Sequence, residues 1–125
     1  DHFKRINDVY GHAGGDAVLQ QLADLLRASL RGTDVAARWG GEEFVVLLPH
    51  TDQSAARTVA ERLRVEVAAT VTRHEGRSIP ITASFGVAMV LRGDGSIEEP
   101  IARADEALYR AKQEGRDRVC RADAA

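Results

Sequence analysis

The sequence predicts an α+β fold, helices packed on a mixed central sheet, and three observations carry that reading. Apolar residues recur at helical spacing in three stretches, β-prone runs separate those stretches, and two of the runs face each other across Gly40-Gly41 as an internal hairpin. A chain of 125 residues with 44% apolar content is long enough for one core and too short for two, so a single domain over residues 1–125 is expected.

In chain order, Val18, Leu19, Leu22, Leu25, Leu26 and Leu30 follow one helical stripe, with Asp16 placed to cap its start and Gly32 to stop it. Val35 to Trp39 and Glu43 to Leu48 read as the hairpin arms, the second ending at Pro49, and Trp39 reads as a packing residue. Thr51 or Asp52 can cap a second helix whose Ala55, Ala56, Val59, Ala60, Leu63 and Val67 share one face. Ile79 to Val90 is β-prone, although Pro80 suits an edge or a strand start better than a ladder centre. Arg92-Gly93-Asp94-Gly95-Ser96 reads as a loop. A third helix is expected from about Glu99 to Glu114, with Ile101, Ala104, Leu108 and Ala111 inward and Gly115 closing it as C′. Arg118 to Cys120 forms a last short strand.

The charge balance excludes some functions. With 17 basic and 19 acidic residues the net charge is −2, which argues against coating a nucleic-acid polymer or a membrane surface but leaves room for a small anionic ligand held by local cations. One cysteine, Cys120, makes no internal disulfide, and no charged-then-apolar leader or long apolar span is present. A reducing, cytoplasmic setting is expected. His50 and His74 have no partners at metal-ligand spacing.

Chemistry concentrates at Arg38-Trp39-Gly40-Gly41-Glu42-Glu43-Phe44. Paired glycines supply the positive φ values of a two-residue hairpin turn and let a ligand approach the backbone; phosphate is one candidate. Glu42 and Glu43 beside such a gap suit a hard divalent cation such as magnesium. Taken alone, the same residues also fit a solvated turn.

The stretch resembles the signature of the GGDEF family, the diguanylate cyclases, in its GGEEF spelling. Upstream, Phe3-Lys4-x-x-Asn7-Asp8-x-Tyr10-Gly11-His12-x-x-Gly15-Asp16 is similar to the family's FKxxND and GHxxGD elements. Downstream, Thr82-x-Ser84-x-Gly86 and Ala104-Asp105-x-Ala107-Leu108-Tyr109-x-Ala111-Lys112-x-x-Gly115-Arg116 are similar to its later ones. The resemblance covers essentially the whole chain. It implies a palm-like nucleotide-cyclase fold in which a strand precedes the position of Asp1, so the chain, which opens in mid-motif, is expected to lack that first strand and to be part of a longer protein with an upstream sensory or regulatory domain. The parent is expected in the cytoplasm or anchored to a membrane.

The activity implied is condensation of two GTP into cyclic di-GMP with loss of two pyrophosphates, each domain holding one GTP and two domains pairing as a homodimer. Such transfer needs charge neutralisation and in-line positioning, so Glu42 and Glu43 are the implied catalytic and metal-binding carboxylates, for magnesium or manganese. Asp1 matches only the second acid of the family's D-x-D-x-F-K pattern, which places a further metal carboxylate two residues before Asp1. Asn7 and Asp16 match the guanine readers, and a carboxylate is chemically suited to guanine N1–H and N2–H₂. By themselves Asn7 also fits an Asx-type turn and Asp16 a helix cap. Phe3, Lys4, His12, Gly40 and Gly41 match substrate-side positions, although Phe3 alone reads as core and His12 as a turn residue. Lys112 and Arg116 match the β,γ-phosphate clamp, and cations also favour helix C-termini without any ligand.

Arg31-Gly32-Thr33-Asp34 is an R-x-x-D at the spacing from Gly40 that matches the family's inhibitory product site, with Arg62 matching a secondary contact. Arg5-Ile6-Asn7-Asp8 satisfies the same motif, and position separates the two. Arginine can fork onto guanine O6/N7 or a phosphate while aspartate takes the Watson–Crick donors. For Arg62 a solvated helix face is the alternative. The resemblance implies one of two functions: a diguanylate cyclase with product feedback, or a weakly active or inactive module that binds cyclic di-GMP through Arg31 and Asp34.

Overall fold

A computed structural model describes residues 1–122. Helix α1 runs Phe3–Ser29, strands β1 and β2 Val35–Arg38 and Phe44–Leu47, helix α2 Gln53–Ala69, strands β3, β4 and β5 Val71–His74, Arg77–Pro80 and Phe85–Val87, helix α3 Glu98–Gln113 and strand β6 Val119–Arg121. The class is α+β, as expected. Mixed pairing is present as three two-stranded ladders, β1–β2 and β3–β4 antiparallel and β5–β6 parallel. The chain divides into two compact units, described separately: Asp1–Pro49 with Glu66–Thr82, and His50–Val65 with the described residues from Ala83 onward.

In the first unit α1 begins earlier than the apolar stripe indicates. Residues before Gly11 are also helical, and at Gly11 the backbone turns to φ 78°, ψ 170°, a conformation open to glycine. Asp16 therefore lies inside the helix and does not cap it, and Asn7 is helical rather than in an Asx turn. Ile6, Val18, Leu19 and Leu26 are buried, each contributing roughly 1.5–3 kcal/mol of apolar burial. The helix ends at Ser29, with Leu30 extended (φ −93°, ψ 153°), so Gly32 sits in the following turn and is not itself the stop.

The β1–β2 arms match the expected hairpin to within a residue, but the turn differs. Register Arg38↔Phe44 leaves residues 39–43 as the loop, and neither Gly40 nor Gly41 takes positive φ. The two-residue turn of this unit lies elsewhere: β3 and β4 meet at His74↔Arg77 across Glu75 and Gly76, both at positive φ (50° and 75°), as a type I′ turn requires. Thr72 and Ile79 face the core from these strands, and the second segment of α1 lies on the hairpin, Gly14 being close to His74 and Ile79. Trp39, expected to pack, is 54% exposed, because the loop projects it away from the ladder.

In the second unit Asp52 caps α2, its Oδ1 accepting the Ala55 N–H at 2.8 Å. Ala56, Ala60 and Leu63 are buried, whereas Ala55, one position off that stripe, is exposed. Strand β5 packs directly on α3: a Cβ at Gly86 would stand 1.9 Å from the Ala104 carbonyl oxygen and 2.6 Å from the Leu108 nitrogen. Ala107 and Ala111 are fully buried on α3. Gly115 (φ 121°) follows the last turn as expected of C′, and the Arg116 N–H returns to the Ala111 carbonyl at 2.9 Å, closing a Schellman-type end. Strand β6 then pairs with β5, Phe85 opposite Val119.

Candidate functional site

The kink at Gly11 folds the first segment of α1 back on the second. A Cβ at Gly15 would stand 1.9 Å from Asn7 Oδ1 and 3.1 Å from Phe3 Cζ, so only glycine admits both side chains there. Glycine within a helix costs about 1 kcal/mol relative to alanine, and this close approach is what requires it. Asn7 Oδ1 is buried with no hydrogen-bond partner among the described residues. An acceptor in that condition costs about 1–3 kcal/mol until a donor reaches it.

Asp16, adjacent to Gly15, is exposed and opens onto a groove of about 520 Å³ that runs along α1 past Leu19, Ala23 and Leu26 to Ala36, Arg38 and Phe44. The groove thus joins the helix bearing Asn7 to both arms of the 39–43 loop. Arg38 braces that loop: its Nε donates to the carbonyls of Gly40 (3.3 Å) and Gly41 (3.1 Å), and its Nη2 also donates to Gly41. The N–H groups of Trp39 and Gly40 both reach the Glu43 carbonyl, at 2.8 and 3.3 Å. Glu42 is exposed and Glu43 half-buried. No atom lies within 4 Å of where a Cβ of Gly41 would be, so the backbone there stays open to a ligand.

Arg38 carries no signal in the sequence beyond its place in the signature, since its role depends on the loop being five residues long. Asp1 is also held: Thr82 Oγ1 donates to its Oδ2 at 2.8 Å, and its nitrogen donates to the Thr82 carbonyl at 2.9 Å. Lys4 and His12 are exposed on α1.

The two R-x-x-D sequences separate cleanly. Arg5 and Asp8 lie exposed on α1, whereas Arg31 and Asp34 close a turn in which Asp34 Oδ2 accepts the Arg31 N–H at 2.9 Å and the Asp34 N–H returns to the Arg31 carbonyl at 3.0 Å. Arg31 Nε lies 3.6 Å from the same carboxylate; its side chain is 64% exposed and that of Asp34 only 3%. Asp34 Oδ1 is buried and has no hydrogen-bond partner among the described residues.

In the second unit Asp94 makes the same turn, accepting the Leu91 N–H at 2.7 Å and donating to its carbonyl at 3.0 Å. There, however, Arg103 forks both carboxylate oxygens at 2.9 and 2.7 Å. That guanidinium, helped by the Leu91 N–H, holds the Asp94 carboxyl below the usual carboxylate range. Arg62 is exposed on α2, and Lys112 and Arg116 are half-buried at the end of α3.

Among the described residues no three of His, Cys, Asp and Glu cluster as a metal cage. Glu42 and Glu43 offer two hard oxygen donors, which fits a magnesium-like ion held by one or two carboxylates with substrate phosphates and water completing its shell.

The family described as "Diguanylate cyclase, GGDEF domain" matches residues 1–118. Diguanylate cyclase A of Treponema denticola is 47% identical over 119 residues, covering 95% of this chain and 32% of that protein. Diguanylate cyclase DgcP of Pseudomonas aeruginosa is 51% identical over 119 residues, 95% of this chain and 18% of its own length. The chain thus spans a third or less of these relatives. Among solved structures, the GGDEF domain of DgcB from Caulobacter crescentus in complex with c-di-GMP superposes with a TM-score of 0.92 at 37% identity, covering 99% of this chain and 74% of that one. Diguanylate cyclase SiaD of P. aeruginosa, in complex with its activator SiaC, superposes at 0.93 with 41% identity, over 98% and 46%. Among the described residues no helix is long and apolar enough to cross a membrane.

Proposed function

The chain belongs to the GGDEF family of diguanylate cyclase domains, and we propose that it joins two GTP molecules into cyclic di-GMP with release of two pyrophosphates. It does so as one domain, since the family match runs across both compact units. The observation that carries the reading is Asn7 Oδ1, a buried acceptor without a donor among the described residues, packed on Gly15, whose chain neighbour Asp16 lines the groove. Guanine presents donors at N1 and N2 to such acceptors, whereas adenine presents an acceptor at N1.

Each 3′-hydroxyl attacks the α-phosphorus of the other nucleotide; a new P–O bond forms, the bond to the bridging α,β-oxygen breaks, and pyrophosphate leaves. GGDEF diguanylate cyclases use a divalent metal ion, here taken as magnesium, which supplies charge neutralisation on the phosphates. Glu42 and Glu43 hold it, and one of them assists removal of the 3′-hydroxyl proton. The open backbone at Gly41, next to Gly40, leaves room for phosphate oxygens, with Phe3, Lys4 and His12 on the substrate side. Lys112 and Arg116 take the β,γ-phosphates; because a helix C-terminus carries partial negative charge, phosphate there depends on the side chains alone. The product's two-fold symmetry requires two chains facing each other, one nucleotide each.

Turnover of GTP with magnesium, on this chain and on one extended upstream, tests the reading. ATP is expected to be used at least tenfold less well, the cost of about 1–3 kcal/mol for each acceptor left unpaired. Glu42→Gln and Glu43→Gln are each expected to lower turnover by orders of magnitude without loss of fold. Equal use of ATP, or near-normal turnover in both variants, contradicts it.

A second reading rests on Asp34 Oδ1. Buried beside Arg31 and without a hydrogen-bond partner among the described residues, it supports a site for one guanine of cyclic di-GMP, with Arg62 as a secondary contact, acting as product feedback or as the main role of a weakly active chain.

A further inference from the structure

The segment that follows α3 is under steric load. Gly115, Arg116 and Asp117 take positive φ in succession (121°, 65° and 47°), and only the first is glycine. One left-handed residue after a helix is ordinary, but the next two carry side chains that this conformation disfavours, so the surroundings must hold them there.

Part of the restraint is local: the Arg116 N–H donates to the Ala111 carbonyl at 2.9 Å, and the Arg118 side chain donates from Nε to the Arg116 carbonyl at 3.0 Å. A further restraint comes from α2 within the same unit. Arg64 Nη1 donates to Asp117 Oδ1 at 3.0 Å. Arg64 is itself anchored on Glu61, with Nε at 3.1 and 3.0 Å from the two carboxylate oxygens and Nη2 at 2.5 Å from Oε1. This fork is bidentate, so the guanidinium plane is fixed before it reaches Asp117. The Arg64 side chain is 22% exposed, which keeps the pair partly shielded from water.

We propose that Arg64, anchored by Glu61, is a positioning residue for Arg116: by holding Asp117 it fixes the left-handed turn and presents the Arg116 guanidinium beside Lys112 for the terminal phosphates of the nucleotide. The inference rests on the reading of Arg116 as a phosphate contact. A turn released from Arg64 populates other conformations, and affinity for the triphosphate falls in proportion to the competent fraction. Contacts to base, ribose and α-phosphate are left as they were.

The test is calorimetry on the full chain with magnesium, using GTP whose α,β-bridging oxygen is replaced by methylene, and GMP as the probe lacking the terminal phosphates. Arg64→Ala is expected to weaken the triphosphate analogue about tenfold and GMP not at all. Arg64→Lys, which keeps the charge but lacks the fork, is expected to fall between. Arg116→Ala is expected to cost at least as much as Arg64→Ala, and the double variant no more than Arg116→Ala alone. If Arg64→Ala does not fold, Asp117→Ala removes the same contact from the exposed side and is expected to give the same pattern.

Two results overturn the positioning role alone: unchanged analogue affinity in Arg64→Ala, or an equal loss in the Arg116→Ala background. Equal weakening of GMP assigns Arg64 to the fold and also overturns it. If Arg116→Ala itself leaves analogue affinity unchanged, the phosphate-clamp reading fails, and the positioning role fails with it.

Discussion

Single atoms decide what each acidic residue can do. Asp34 and Asp94 sit in turns with the same two backbone bonds, yet Arg103 saturates Asp94 whereas Asp34 keeps one buried oxygen without a hydrogen bond among the described residues. Asp94 is therefore a structural brace and Asp34 a candidate ligand group, a distinction that depends on Arg103 arriving from α3 and that no local spacing reveals. Cyclic di-GMP titrated calorimetrically is expected to bind at least tenfold more weakly to Arg31→Ala than to the unmutated chain, since a charge-assisted hydrogen bond contributes about 1.5–3 kcal/mol. Arg5→Ala, on the exposed face of α1, is expected to leave the affinity unchanged. Equal affinity in all three removes the product-site reading. Sequence motifs alone left Arg5 and Arg31 as formal equals, separated by spacing to Gly40; the helix around Arg5 and the turn around Arg31 give that separation a physical cause.

Elements with a one-sided apolar stripe were legible. Helices α2 and α3 appear at the expected places, with the Asp52 cap and the Gly115 end as read, because cap chemistry is local. The segment before Gly11 was not legible as helix: it is short, and Lys4, Arg5, Asn7 and Asp8 give it no stripe, so its conformation depends on Ile6 being buried and on Phe3 and Asn7 packing over Gly15. The β3–β4 hairpin escaped for a related reason. Only Thr72 and Ile79 are buried along it, and α2 runs into it with no glycine or proline between. Gly86 shows the opposite case, a motif glycine whose reason is packing of strand on helix. Gly86→Ala is expected to lower stability by about 1–3 kcal/mol or more, as overpacking against the Ala104 backbone demands, measured as a shift of the denaturation midpoint. Gly32→Ala, with open space around it, is the control and is expected to be neutral or slightly stabilising. Comparable losses in both variants contradict the packing account.

For the whole molecule, family membership was legible from four ordered blocks, whereas the division into two compact units was not. Blocks report which residues recur together, and compactness depends on contacts that spacing does not encode. Because the proposed reaction consumes one nucleotide from each of two chains, product formed per chain is expected to rise with protein concentration at saturating GTP until pairing is complete. Specific activity independent of concentration down to the lowest measurable level contradicts catalysis by a reversibly formed pair. The chain also carries a means of watching that step. Trp39 is its only tryptophan, and it is 54% exposed at the first position of the loop that holds Glu42 and Glu43. An indole in water emits at longer wavelength than one covered by a nucleotide or a second chain, so the loop reports its own occupancy as colour, without a label.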